Sequence, residues 1–140
     1  MFLKPVAVPF YYVPDGRTRP QGAGGNTMHE MALAEGILDI ALDYAKKNDA
    51  RKINEIGLLI GEMSGVEQES LRFSFAMLVK GTIAEGAVLK VKDVPLVGRC
   101  SKCGKTFHID HYDFWCPECR DGVLVTVSGR EMQVEYLEVD

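Results

Sequence analysis

The spacing of the cysteines constrains this chain more than any other feature of its sequence. Its four cysteines form two C-x-x-C pairs, Cys100 with Cys103 and Cys116 with Cys119. A C-x-x-C turn directs two sulfurs toward one point, and two such turns supply the tetrahedral ligand set that zinc prefers. Because four thiolates leave no coordination position open, the spacing predicts a structural zinc site rather than a catalytic one.

Two disulfides or a redox-active C-x-x-C are the other uses of such cysteines. Disulfides need an oxidising compartment, and a redox motif has no need to occur twice. Pro5 and Pro9 interrupt the apolar N-terminal stretch, which makes it a poor signal peptide. No apolar run approaches the roughly 18 residues of a membrane span. We therefore expect a cytoplasmic protein with no membrane association.

The charge distribution argues against a nucleic-acid partner. The chain has a net charge of −4, and residues 28–140 hold 13 basic and 19 acidic side chains. A protein that binds the phosphate backbone normally presents a basic surface. A zinc-ribbon interaction module or nucleic-acid-associated module remains the alternative function. It is weakened because residues 96–131 contain five basic and five acidic side chains.

Residues 1–27 differ in composition from the rest of the chain. They contain four prolines and the sequence Gly-Ala-Gly-Gly at 22–25. Proline and glycine in this density prevent regular helix and discourage strand. We expect this segment to be a disordered or loosely docked N-terminal extension.

The remaining sequence alternates between helical and extended patterns. Apolar residues recur at helical spacing from Met31 to Ala45 and again from Leu71 to Val79. Ser64-Gly-Val-Glu67 fits a capping box ahead of the second helix. Alternating apolar residues predict three main strands, over residues 53–60, 88–92 and 132–139. They also predict a short strand within the zinc module, over residues 123–127.

These elements define the expected fold class and domains. We expect an α+β fold in which two helices pack on a three-stranded sheet, with a small zinc ribbon inserted before the last strand. The α/β domain would comprise residues 28–97 and 131–140, and the zinc-binding domain residues 98–130. The zinc domain is too small to be stable without its metal.

A second metal signal is Met28-His29-Glu30, just ahead of the expected first helix. The His29 imidazole and successive backbone nitrogens can enclose a metal in a plane, which Ni(II) and Cu(II) prefer and zinc does not. Glu30 can add its amide nitrogen or its carboxylate. His108 and His111 lie inside the cysteine loop, where a role as auxiliary ligands stays open. The sequence has no phosphate loop and no nucleophile elbow, so we predict no enzyme.

Several segments together resemble the HypA/HybF family of hydrogenase maturation nickel chaperones. The resemblance covers essentially all of residues 28–140 and none of residues 1–27. It rests on the paired C-x-x-C and on the following segments: Met28-His29-Glu30, Gly61-Glu62-Met63-Ser64-Gly65-Val66, Glu69-Ser70-Leu71-Arg72-Phe73, Gly81-Thr82-Ile83-Ala84-Glu85-Gly86-Ala87 and Ser128-Gly129-Arg130-Glu131.

The resemblance implies a nickel-delivery protein rather than a catalyst. Ni(II) would be the transferred cargo, bound by His29 with Met28 (through its backbone) and Glu30, while the four cysteines hold structural zinc. The implied partners are a HypB-type GTPase and the large subunit of [NiFe]-hydrogenase, with urease as a further recipient. A homodimer stays open. In the family pattern the methionine is the first residue, whereas 27 residues precede Met28 here, so the full chain lacks a terminal amine at this site.

Overall fold

The computed structural model describes the backbone of residues 4–12 and 26–140 and the side chains from Glu30 onward. No helix in these ranges is both long and apolar enough to cross a membrane. A 3₁₀ turn, Glu62–Ser64, lies between the second strand and the second helix. The elements in chain order are β1 (Lys4–Tyr12), α1 (Asn26–Lys47), β2 (Ile53–Gly61), α2 (Gln68–Leu78), β3 (Val88–Val94), β4 (Val97–Cys100), β5 (Thr106–His108), β6 (Leu124–Ser128) and β7 (Met132–Val139).

The chain divides into two compact units. The first unit comprises the described residues up to Leu59 together with Val66–Lys92 and Met132–Asp140. The second unit comprises Ile60–Gly65 and Asp93–Glu131. One sheet has the strand order β1-β7-β2-β3, and a smaller sheet has the order β5-β4-β6. The α+β fold with two helices and a separate cysteine-bearing unit, expected from the sequence, is confirmed.

The core of the first unit follows the predicted apolar patterns. In α1 the fully buried side chains include Leu33, Ile37 and Ala41, which share one face at i, i+4 and i+8. The helix lies against α2 and β7, and its fully buried face belongs to the core of the first unit. Ile56 and Val134, from β2 and β7, are also completely buried. Burying a large aliphatic side chain stabilises a fold by about 1.5–3 kcal/mol, so this layer holds the first unit together.

Strand β1 differs from the expectation for residues 1–27. Lys4–Tyr12 pairs antiparallel with β7, in a register that places Val6 opposite Leu137. The strand lies at the edge of its sheet, where a proline can be accommodated because its missing N–H breaks no internal ladder. The register shifts between Ala7 and Tyr11, around Pro9. The other residues of the predicted extension, 1–3 and 13–25, lie outside the described residues.

The starts of both helices also differ from the sequence analysis. Helix α1 begins at Asn26, so Met28-His29-Glu30 lies within its first two turns rather than ahead of it. Helix α2 begins at Gln68, and its N-cap residue, Glu67, makes no side-chain capping bond. Because Ser64 belongs to the 3₁₀ turn, the predicted capping box does not form.

The second unit has its own small core. Leu96, Ile109 and Leu124 are buried together with Cys100 and Cys116. The sheet β5-β4-β6 therefore has one packed face.

The second unit also begins earlier than the predicted boundary at residue 98 and includes residues 60–65. The Met63 N–H donates to the Gly129 carbonyl at 2.8 Å, and the Gly61 N–H donates to the Glu131 carbonyl at 2.7 Å. A Cβ on Gly61 would lie 2.1 Å from the Gly129 oxygen, so only glycine permits this close approach. These bonds join segments about 70 residues apart, which local sequence patterns do not reveal.

Candidate metal-binding sites

The four cysteines meet in the second unit. Their Sγ atoms all lie within 4.8 Å of one another. The Cys100 and Cys119 sulfurs are 3.5 Å apart, and the Cys103 and Cys116 sulfurs are 3.8 Å apart. Tetrahedral zinc with Zn–S bonds of about 2.3 Å requires sulfurs about 3.8 Å apart. A disulfide requires about 2.05 Å. The cluster therefore has the dimensions of a tetrahedral metal site and contains no disulfide.

Backbone N–H groups around the cluster stabilise thiolates. The N–H groups of Lys102 and Cys103 point to the Cys100 sulfur at 3.4 and 3.3 Å, and the Cys119 N–H points to the Cys116 sulfur at 3.4 Å. The Cys103 N–H makes the largest contribution to lowering the pKa of Cys100, to about 6. The Cys119 N–H in the same way lowers the pKa of Cys116. Both leading cysteines are thus prepared to bind a cation as thiolates.

The two histidines of the cysteine loop do not join the four-sulfur cluster in the described structure. His108 Nε2 lies 2.8 Å from a Glu62 carboxylate oxygen, and its Nδ1 lies 2.9 Å from Asp110. The hydrogen bond that His108 donates to Glu62 raises the pKa of His108. His111 is exposed and has a positive φ of 51°. The auxiliary-ligand role of these two residues stays a prediction.

Glu62 was not identified from the sequence as a residue with a specific role. Its carboxylate accepts the Leu96 N–H at 3.0 Å as well as contacting His108, and the His108 bond is the main cause of its lowered pKa. Glu62 therefore links the two segments of the second unit, Ile60–Gly65 and Asp93–Glu131. Glu62 belongs to one of the segments on which the family resemblance rests, and this was the available sequence signal. Its bonding partners could not be predicted, because they lie 34 and 46 residues further along the chain.

Glu30 has a structural role that the sequence did not reveal. Its side chain is completely buried, and one carboxylate oxygen accepts the Glu67 N–H at 3.1 Å. Because Glu67 is the N-cap residue of α2, Glu30 supplies from α1 the capping bond that the local sequence does not. The side chain connects the starts of the two helices.

The backbone of Met28 and His29 lies in the first turn of α1, and their side chains lie outside the described part of the structure. The first four N–H groups of a helix have no partner within it. The amide nitrogen of Met28 is among these four.

Most of the described part of the chain matches one known protein family. Residues 28–139 match the family described as hydrogenase/urease nickel incorporation, metallochaperone, hypA. The match spans Met28-His29-Glu30 and the cysteine cluster. The chain belongs to the HypA family. Members of this family are metallochaperone maturation factors, and the resemblance read from the sequence is confirmed.

Relatives in the HypA family match over almost their whole length. The hydrogenase maturation factor HypA of Caldanaerobacter subterraneus subsp. tengcongensis is 37% identical over 114 residues, which cover 81% of this chain and 100% of the relative. The hydrogenase maturation factor HypA of Rhodobacter capsulatus is 39% identical over 112 residues, which cover 80% of this chain and 99% of the relative. The HypA family functions in hydrogenase maturation.

Solved HypA structures share the fold. The solution structure of a HypA protein aligns with a TM-score of 0.63 and 25% identity, over 81% of this chain and 97% of the other. The solution structure of the Ni metallochaperone HypA from Helicobacter pylori aligns with a TM-score of 0.57 and 23% identity, over 79% and 96% of the two chains.

Proposed function

We propose that this protein is a nickel metallochaperone that binds Ni(II) at Met28-His29-Glu30 and delivers it for insertion into [NiFe]-hydrogenase. The observation that carries the proposal is the single family match that includes both this segment and the cysteine cluster. The family description names urease as well, so urease is a second recipient to test. The donors would be the His29 imidazole and backbone nitrogens, which suit Ni(II).

The burial of Glu30 favours a backbone role for this residue in nickel binding. Its carboxylate is enclosed and bonded to the Glu67 N–H, and moving it to a metal would leave the start of α2 without this acceptor. Glu30→Gln keeps a side-chain oxygen at the same position. We expect this variant to bind nickel like the parent chain. If the Glu30 carboxylate were a nickel ligand, the variant would bind nickel more weakly.

We further propose that the cysteine cluster holds zinc. Cys100, Cys103, Cys116 and Cys119 would bind the ion, and the sulfur separations support a tetrahedral ion. With all four positions filled by thiolate, zinc would supply structural stability to the second unit rather than reactivity. A zinc analysis of the purified protein, with nickel and iron measured in parallel, identifies the resident metal.

The test of nickel binding is a Ni(II) titration of the zinc-loaded protein by calorimetry and absorption spectroscopy. We expect His29→Ala to abolish specific binding without changing the zinc content, and Asp39→Ala, at an exposed position of the same helix, to serve as the control with unchanged binding. Stoichiometric nickel in His29→Ala would refute the site. Absence of specific nickel in the parent chain as well would favour the alternative of a zinc-ribbon interaction module.

The same titration on a chain that starts at Met28 tests the effect of the preceding residues. A planar chelate through consecutive nitrogens needs a backbone that leaves helical dihedrals, and α1 begins at Asn26 in the full chain. We expect the chain from Met28 to add its terminal amine and to give the stronger square-planar spectrum. Equal spectra would place all ligands within the internal segment.

We propose a HypB-type GTPase and the hydrogenase large subunit as the partners in delivery, in the cytoplasm. Transfer is tested by mixing the nickel-loaded protein with nickel-free large-subunit precursor, with and without the GTPase, and following nickel by mass. His29→Ala should transfer none. Nickel arriving from free Ni(II) at the same rate as from the loaded protein would exclude delivery.

A further inference from the structure

The small sheet of the second unit has one open face that carries an apolar strip. Successive side chains of a strand point to opposite faces, so Leu124 is buried while Val125 and Val127 are 59% and 50% exposed. Val123, immediately before β6, is exposed on the same side. Trp115 forms a β-bridge with Val123 and is 62% exposed, so it extends the strip. Exposed apolar side chains that lie together in this way suggest an interaction surface, whereas singly scattered ones need no explanation.

Two cations lie beside this strip. Arg99 on β4 is the register partner of Val125, and directly paired residues share a face. Arg99, Lys102, Val125 and Val127 help to line a groove of about 490 Å³ that no carboxylate lines. Among residues 30–140, the side chains of Arg99 and Lys102 form no ion pair or hydrogen bond, whereas Lys105 pairs with Glu118 at 2.6 Å.

We propose that this groove is a docking site for an extended, acidic segment of a partner protein. In an extended segment every second side chain lies on one side, so aliphatic residues can rest on the valines while a carboxylate reaches the cations. Arginine binds carboxylates with two parallel hydrogen bonds. A second copy of this chain fits less well, because two copies joined through the same face would bring their own cations together.

The negative charge of the cysteine cluster is a second explanation for the positions of Arg99 and Lys102. Cys100 and Cys103 also line the groove, and zinc with four thiolates has a charge of roughly −2. If Arg99 and Lys102 only balance that charge, the groove has no preference for an acidic segment. A comparison of acidic and basic peptides separates the two cases.

The probe is a fluorescent, capped peptide, Val-Ser-Val-Ser-Glu-Ser-Glu, with a version containing lysine in place of glutamate. Binding to the zinc-loaded full chain is followed by anisotropy. We expect the acidic peptide to bind about fivefold or more tightly than the basic one. Val125→Ser with Val127→Ser should weaken binding about tenfold through lost apolar contact, and Arg99→Gln about threefold through a lost surface charge.

Matched controls come from strand β3, outside the groove. Val88 is 49% exposed and Lys90 is also exposed, so Val88→Ser and Lys90→Gln make the same chemical changes elsewhere. They should leave peptide binding unchanged. All variants alter surface side chains, and we expect each to keep its zinc and its unfolding midpoint.

Three outcomes would overturn the proposal. Equal binding of the acidic and basic peptides would mean that the cations only balance the thiolates. No saturable binding, or equal losses in the control variants, would mean that the groove is not the docking site. A concentration-dependent dimer that the valine double variant abolishes would assign the face to a second copy. Because no nickel is present in these measurements, their result is independent of the nickel proposal.

Discussion

Gly122 lies so close to the cysteine cluster that a single methyl group should disrupt it. A Cβ at this position would be 2.2 Å from the Cys100 sulfur and 3.4 Å from the Cys119 sulfur. An ordinary contact between carbon and sulfur is about 3.8 Å, so the Cys100 sulfur would have to move by about 1.6 Å. The Gly122 carbonyl accepts the Cys116 N–H at 2.9 Å, which keeps the backbone from moving instead.

A displacement of this size is large for a metal site. Zinc–ligand distances tolerate about ±0.2 Å, and loss of a supporting contact alone costs about 10–100-fold in metal affinity. We therefore expect Gly122→Ala to lower zinc affinity by at least about 100-fold, or about 2.7 kcal/mol. Competition with a chromophoric zinc chelator measures the affinity, and thermal unfolding with and without chelator measures the consequence for stability.

Gly104 provides the matched control in the same loop. An added Cβ there would meet no atom within 4 Å, but the residue has a positive φ of 75°. Gly104→Ala should cost about 1–2 kcal/mol through backbone strain and leave zinc affinity nearly unchanged. If Gly122→Ala instead kept the parent zinc affinity while Gly104→Ala lost it, crowding at the sulfur would not be what controls the site.

Three other changes test contacts outside the cysteine cluster. Tyr136→Phe removes a 2.6 Å bond to Glu55 and should cost about 1 kcal/mol in chemical denaturation. Because that bond raises the pKa of Tyr136 to about 12, the contribution should be present below about pH 10 and lost as the pH approaches 12. Glu30→Ala should cost about 2 kcal/mol or more, since it removes a buried acceptor, and an unchanged unfolding midpoint would contradict this. His108→Gln should destabilise the protein most at mildly acidic pH. The folded state raises the pKa of His108, so the stabilisation is lost as the pH rises through the His108 pKa. It lowers the pKa of Glu62, so the stabilisation is also lost as the pH falls through the Glu62 pKa. A difference in stability that does not depend on pH would be inconsistent with an ion pair.

Local sequence patterns predicted those elements whose determinants are close together in the chain. The bounds of β7 agree with the alternation over residues 132–139, and β2 agrees with that over 53–60. The cysteine cluster was predictable because each C-x-x-C turn orients its own sulfurs through bonds two and three residues apart. Periodicity and metal spacing are both short-range signals.

The features that the sequence did not reveal depend on contacts between distant residues. The capping box was expected at Ser64, but the N–H of Glu67 bonds to Glu30, 37 residues earlier. Residues 60–65 join the second unit through bonds that reach positions 96, 129 and 131. Strand β1 was missed because its prolines reduce strand propensity, whereas an edge position tolerates them. In each case a tertiary contact overrides a local preference.

The position of Glu30 bears on how a chaperone of this kind can both hold and release a cation. Glu30 is the first side chain of α1 that the structure describes, and it is completely buried against the start of α2. Under the proposed function, release or capture of nickel by His29 would involve the backbone on the N-terminal side of this anchor. The first N–H groups of a helix make no intrahelical bonds, so fewer hydrogen bonds oppose a change of backbone there than in the middle of α1. The proposed cargo site would thus change its backbone while the bond between the Glu67 N–H and Glu30 is kept.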